Sequence, residues 1–342
     1  MTAVKKKKKR FNKILRWLIP IAISAGAIWF VLRDIELATI LENLSKINLE
    51  IYLYASLAYF ISYAFRALCW YVLLRRKVSY KDTFFTMGAG YLLNNLFPFR
   101  LGEIGRAVLL DDPAGPTALE VLSSVLVERI FDVFLAAVFV LSMLPRILGG
   151  GFDQSLILIL FILTIVGMAV LYLAARFRLR IAGWLEGWGE RSNFVKHWVA
   201  PKAYQVLEGL SVLNNPGAFF LAFGSLLLSW LIAFGENFIV FQSLYPDPQF
   251  WWMIFVLSAG AFGAALPSVP AGLGVFEGVM VAAFAFLGVE ADVAFTHAIV
   301  IHALAFVYSN IFGLIGLHLR GQAVIGLYRR VVHRSPTIET VD

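Results

Sequence analysis

Charged residues are scarce in this sequence, and long polar stretches are rare. Of its 342 residues, 15% are charged and 60% are hydrophobic, and the mean hydropathy is +0.78. Apolar runs of about 20 residues recur along the chain, and a soluble fold has no interior in which to bury so many. These runs are continuous rather than alternating, which excludes a β-barrel. The composition therefore predicts an all-α polytopic integral membrane protein.

The sequence also lacks several residue clusters and motifs, which limits the chemistry that the protein can perform. The chain has one cysteine, Cys69, so it forms no intrachain disulfide. It has no ATP-binding motif, no metal-ligand cluster and no convincing nucleophile–base triad. His297 and His302 are five residues apart, which is poor spacing for a metal pair on one helix, so we expect them in a polar core. We predict no catalytic residue, no metal and no cofactor, and a protein that is not an enzyme.

Basic residues indicate the orientation. The N-terminal arm holds Lys5 to Lys9 and Arg10, and further Lys and Arg residues follow at 75–77, in 176–215 and after residue 319. The loops predicted on the other side carry few basic residues, which places both termini in the cytoplasm. We predict that the protein lies in the cell inner membrane. A nucleic-acid role for the arm does not suit so apolar a protein. The clear spans are about 14–32, 49–74, 120–144, 154–175, 216–245 and 293–318.

Two further apolar regions, about 83–110 and 251–289, are interrupted by Pro and Gly. A broken segment at a corresponding place in each half of a chain is a pointer to a transporter site. We therefore predict about six to eight transmembrane helices, with two re-entrant segments that form an inverted repeat. The predicted organisation is a basic arm (1–13), one transmembrane domain (14–320) and a cytoplasmic tail (321–342). Within that domain, segment 176–215 joins halves 14–175 and 216–320, either as an amphipathic cytoplasmic helix or as a plain loop.

The first broken segment, NNLFPFRLGEIGR at 94–106, combines backbone breakers with charge. Pro98 disfavours helix at the preceding residue, and a helix that restarts near Gly102 would point its free N–H groups into a cavity. Arg100 and Arg106 add positive charge, and Glu103 is spaced to pair with Arg106. One interpretation is a seat for an anionic head group, with Asn94 beside it. The other is an interfacial turn whose arginines reach lipid phosphate.

Two more motifs place charge within apolar sequence. In ERIFD (128–132), Glu128 and Asp132 share a helix face and Arg129 is spaced to pair with Asp132. Such residues mark a pathway or lock helices together as an ion-pair cluster. In PSVPAGLGVFEG (267–278), two prolines and three glycines surround one carboxylate, and unwound carbonyls there could face a cavity. Its candidate residues are Pro267, Pro270, Gly272, Gly274 and Glu277.

In this order and spacing, the three motifs resemble the flippase-like membrane domain of lysylphosphatidylglycerol synthetases, over roughly residues 14–320. In the full-length synthetases this domain translocates the aminoacylated lipid, and a separate soluble domain makes it. The chain ends at Asp342, so the resemblance implies a lipid-handling membrane fold and not aminoacyl transfer. It also implies that the motif residues named above, with Pro98, serve that fold.

The sequence thus favours a flippase-like transporter that moves a polar or anionic lipid head group between leaflets. Its partner would be a membrane lipid with an anionic or phosphate-bearing head group. Two alternatives stay open: a membrane-embedded transferase that acts on lipid-linked substrates, and a non-transporting partner subunit that anchors a cytoplasmic enzyme.

Overall fold

The computed structural model describes residues 24–27, 29, 36–97, 100–111, 115–148, 154–189, 211–263 and 269–334. Every regular element within these ranges is helical. Two short 3-10 turns, Ser211–Asn214 and Pro270–Gly272, accompany the α-helices. The α-helices are α1 (Leu37–Lys46), α2 (Leu49–Leu73), α3 (Tyr80–Leu96), α4 (Leu101–Leu110), α5 (Ala118–Leu148), α6 (Gln154–Arg176), α7 (Arg178–Gly189), α8 (Pro216–Phe241), α9 (Phe250–Gly263), α10 (Val275–Ala285), α11 (Ala291–Leu319) and α12 (Val324–Arg334).

Three helices among the described residues, α2, α8 and α11, are long and apolar enough to cross a membrane. They have 25, 26 and 29 residues, whereas a span needs about 20. Each exposes large apolar side chains, such as Leu53, Phe220 and Leu314, which a bilayer would cover. The protein is therefore an all-α membrane protein, as predicted. The total of six to eight spans, the re-entrant segments and the inverted repeat stay predictions.

The other apolar helices differ in length and charge. Helix α5 has 31 residues but carries the charged residues of 128–132 near its middle. Helix α9 and the segment Pro270–Ala285 are shorter apolar helices. Segment 176–215 begins with the helix α7, on which Trp184 and Trp188 are exposed, and its residues 190–210 lie outside the described part. The predicted domain boundaries also stay predictions.

The chain forms two compact units, and each draws on separate parts of the sequence. The first unit consists of Met1–Leu57, Asn94–Phe99 and Phe234–Val307. In it α9 packs against α10, where Gly263 lies so close to Val279 that an added Cβ would be 2.6 Å from Val279 Cγ2. Phe241 stacks on Phe284 with ring centroids 4.6 Å apart. Small residues thus allow a close helix pair, as is common in membranes.

The second unit consists of Ala58–Leu93, Arg100–Ala233 and Tyr308–Asp342. Its short helix α4 packs against both α5 and α12. Helices α3 and α11 approach closely at Gly88, where an added Cβ would lie 2.8 Å from the backbone N of Gly313. Next to this crossing, Tyr63 and Trp70 are buried in an aromatic core. Trp70 of this core lies against Arg106, a member of the polar site described below.

Candidate functional site

The helix break at 94–106 has the form that the sequence predicted. Helix α3 ends at Leu96, and α4 begins at Leu101. Between them Arg100 is the N-cap and has left-handed backbone angles (φ 51°, ψ 46°), which cost a non-glycine residue on the order of 1–3 kcal/mol. Pro98 lies outside the described residues.

The polar residues predicted around this break lie in different surroundings. Asn94 is in the last turn of α3, and Glu103 is in the first turn of α4 and half-buried. Gly102 is buried, whereas Arg100 is exposed. The residues at the start of α4 are thus in place for a helix N-terminal anion seat, and that role remains a prediction.

Arg106 lies farther along α4, in the core of the second unit. Its side chain is 2% exposed, and Nη1 donates to Glu128 Oε2 at 3.0 Å. The guanidinium lies over two rings, with Cζ 4.8 Å from the Trp70 centroid and 4.9 Å from that of Tyr91. Such cation–π contacts help to offset the loss of hydration. Glu128 is thus a partner of Arg106, although the sequence spacing had suggested Glu103.

A glycine on α3 makes room for this arginine. An added Cβ on Gly90 would lie 2.8 Å from both Cγ and Nε of Arg106. Trp70 is held in turn, since its Nε1 donates to Ser124 Oγ at 3.0 Å. The positions of Gly90 and Trp70 show that the core is shaped around a cation.

The carboxylates of the ERIFD motif share one face of α5 and meet an arginine from α2. Arg66 donates from Nη1 to Asp132 Oδ2 at 2.7 Å and from Nη2 to Asp132 Oδ1 at 2.9 Å. This is the two-pronged geometry that suits a guanidinium and a carboxylate. The same Nη1 lies 3.4 Å from Glu128 Oε1, and the Glu128 side chain is fully buried. Arg66 and Arg106 therefore flank Glu128 from two helices.

Arg129 is the third cation of the cluster. Its Nη2 lies 3.3 Å from Glu128 Oε1, and its Nη1 lies 3.4 Å from Asp132 Oδ2, which is the pair that the sequence predicted. The Arg129 side chain is 35% exposed, compared with 19% for Arg66. Among the described residues, its Nε is buried and has no hydrogen-bond partner. Arg129 is thus the most exposed cation of the cluster, and it also has one buried donor without a hydrogen-bond partner.

We call this cluster the ion network and define it as Arg66, Arg106, Glu128, Arg129 and Asp132. Trp230 of α8 completes it, because its Nε1 donates to Asp132 Oδ1 at 3.1 Å. The network has three guanidinium groups and two carboxylates, so it carries one excess positive charge. Four helices supply these side chains, so the network fixes α2, α4, α5 and α8 to one another. The network thus has a buried part, in which Arg106 pairs with Glu128, and a partly exposed cation, Arg129.

The second broken segment lies in the first unit. The turn Pro270–Gly272 precedes α10, which begins at Val275. Gly272 and Gly274 have positive φ angles of 77° and 80°, which glycine adopts without steric cost. Pro267 lies outside the described residues.

Glu277 makes one hydrogen bond within this segment and one to α11. Its Oε2 accepts the backbone N–H of Gly274 at 2.7 Å, and its Oε1 lies 2.5 Å from His302 Nδ1 on α11. The His302 Nε2 lies 3.1 Å from the carbonyl oxygen of Ala271. His302 is polar core, as the sequence predicted, and so is His297, which hydrogen-bonds with Asn237 Oδ1.

Sequence reasoning missed three members of these sites. Arg66 is a charged residue inside a long apolar span, and an intramembrane charge is by itself a signal that a partner exists. Trp230 and the pairing of His302 with Glu277 gave no such signal, because they depend on helix packing. Among the described residues, no group of three or more His, Cys, Asp or Glu side chains is placed to hold a metal ion.

The comparisons with known proteins point to a membrane domain. Residues 17–313 match the family model described as the lysylphosphatidylglycerol synthase TM region. The searches of curated proteins and of solved structures gave no match.

Proposed function

The chain belongs to the lysylphosphatidylglycerol synthase TM region family, whose membrane domain is associated with lipid handling, and on that premise we propose that it is a lipid transporter. It moves a lipid with a polar or anionic head group between the two leaflets. The membrane is the cell inner membrane, and both termini face the cytoplasm, as the distribution of Lys and Arg indicates.

The observation that carries this proposal is the excess positive charge of the ion network. Glu128 and Asp132 together neutralise two of the three arginines, and a charge in apolar surroundings is costly unless it is paired. A head-group phosphate would supply the missing negative charge. The partner for such a phosphate is Arg129, because it is the most exposed of the three arginines.

Geometry supports a guanidinium as the recognising group. Arg129 approaches the two carboxylates through Nη1 and Nη2 at 3.3–3.4 Å, which is longer than an ideal charge-assisted hydrogen bond. A phosphate at the exposed part of this side chain would therefore compete only with these long contacts. Arg100, exposed at the start of α4, is a second cation that a head group could meet.

The test is transfer of labelled lipids in vesicles that contain the purified protein. For an anionic phospholipid such as phosphatidylglycerol, we expect transfer that is faster than in protein-free vesicles. For a lipid with an uncharged head group, we expect transfer that is slower than that of the anionic phospholipid. Equal transfer of both lipids would refute the anionic site, and no transfer of any lipid would favour the partner-subunit alternative. A chemically altered lipid, detected by mass spectrometry, would favour the transferase.

A further inference from the structure

The two hydrogen bonds of His302 determine where the protons of the His302–Glu277 pair lie. A backbone carbonyl oxygen only accepts hydrogen bonds, so the bond between His302 Nε2 and the Ala271 oxygen requires a proton on Nε2. That leaves Nδ1, which lies 2.5 Å from Glu277 Oε1. Two lone pairs cannot face each other at this distance, so a proton lies between the two atoms.

The proton count does not depend on which atom holds this proton. An imidazolium beside a carboxylate and a neutral imidazole beside a carboxylic acid contain the same number of protons. Both contain one more proton than a neutral histidine beside an ionised glutamate. The pair therefore holds one proton that it loses only by giving up a hydrogen bond.

The hydrogen bonds of Glu277 and His302 hold a backbone segment that has several positive φ angles. Ala271 is a non-glycine residue with φ 62°, and Gly272 and Gly274 also have positive φ. His302 holds Ala271 through its carbonyl, and Glu277 holds Gly274 through its N–H. Loss of the shared proton would weaken the tie between α11 and the segment 269–277.

The surroundings of the pair are mainly apolar. Glu277 is 6% exposed, and the ring of Phe276 lies against His302 with centroids 4.9 Å apart. Phe276 and Leu304 pack on an apolar cluster to which α2 contributes the titratable Tyr52. A tyrosine stays neutral near pH 7. Glu277 and His302 thus form a polar, ionisable pair against this apolar cluster.

We propose that Glu277 and His302 form a binding site for one exchangeable proton, and that this proton holds segment 269–277 in the observed conformation and couples its movement to lipid transfer. The coupling rests on the proposed function, whereas the proton site does not.

Two measurements on the whole protein in lipid nanodiscs test the proton site. The first counts the protons that the protein releases as the pH is raised from about 5 to about 8. The wild type should release about one proton more than the double variant Glu277→Gln/His302→Gln.

The second measurement is hydrogen exchange of segment 269–277, corrected for the intrinsic effect of pH. Exchange in the wild type should accelerate as pH rises, and His302→Gln should exchange about tenfold to a hundredfold faster at the low end of the range. The control is His318→Gln, an exposed position on the same helix, which should behave as the wild type. Equal proton release together with exchange that does not depend on pH would overturn the proposal.

The third measurement addresses coupling, through lipid transfer with and without a pH difference across the vesicle membrane. Wild-type transfer should change with the pH difference, whereas Glu277→Gln should lose this dependence. A proton site found by the first two measurements, with transfer that ignores the pH difference, would overturn the coupling and leave the transporter intact. A proton site without any lipid transfer would overturn the proposed function instead.

Discussion

Replacing Arg129 by alanine should separate binding from stability. Its contacts with Glu128 and Asp132 are 3.3–3.4 Å long, and its side chain is 35% exposed. Glu128 and Asp132 keep counter-charges when Arg129 is removed, because Arg66 and Arg106 also pair with them. We therefore expect Arg129→Ala to fold and to lose at most about 1 kcal/mol of unfolding free energy.

Head-group binding should suffer far more. A charge-assisted hydrogen bond to a phosphate is worth about 1.5–3 kcal/mol, and its loss corresponds to about one to two decades in affinity. Arg129→Lys should fall between the wild type and the alanine variant, because an ammonium keeps the charge but loses the fork of donors. The assays are binding and transfer of an anionic phospholipid in vesicles, with thermal unfolding measured on the same samples.

The matched control is Lys77→Ala. Lys77 pairs with Glu120 at 2.8 Å, and its side chain is 38% exposed, so this variant also removes a partly exposed ion pair from the second unit. It lies outside the ion network and should leave transfer unchanged. Wild-type affinity and transfer in Arg129→Ala would refute the assignment of the head group to Arg129. Equal losses in both variants would show that any lost surface cation has this effect.

Further predictions concern stability and topology. Glu128→Gln should cost about 3–5 kcal/mol in unfolding experiments, because it leaves buried arginines without their counter-charge, and a wild-type midpoint would contradict this. Gly88→Ala should lower the thermal midpoint through backbone clashes, whereas Gly224→Ala, which meets no atom within 4 Å, should leave it unchanged or raise it. In a cysteine-free background, a cysteine at Lys46 should label from outside intact cells and one in 185–200 should not; the reverse would overturn the orientation.

The ion network shows which features could be predicted from residue spacing along a single helix. Spacing along one helix determined that Glu128 and Asp132 share a face and that Arg129 lies near Asp132, because residues three and four apart are neighbours on a helix. The sequence also located the break before α4, since Pro and Gly disrupt a helix wherever they occur in an apolar run. These are local consequences of backbone geometry.

Composition determined the rest of what the sequence could predict. A chain with 60% hydrophobic residues in runs of spanning length must satisfy its backbone hydrogen bonds within helices, which makes it an all-α membrane protein. The motifs, taken together, led to the family. Each of these conclusions follows without information on which helices are neighbours.

Tertiary structure alone decided the partners. Arg66 reaches Asp132 across 66 residues of sequence, and Trp230 reaches the same carboxylate across 98. Arg106 pairs with Glu128 on another helix because the packing of α4 against α5 buries both side chains, and a buried charge must find its counter-charge. The proton shared by Glu277 and His302 likewise exists only because α11 packs beside the broken segment. Long-range pairing follows from packing, and no sequence period encodes it.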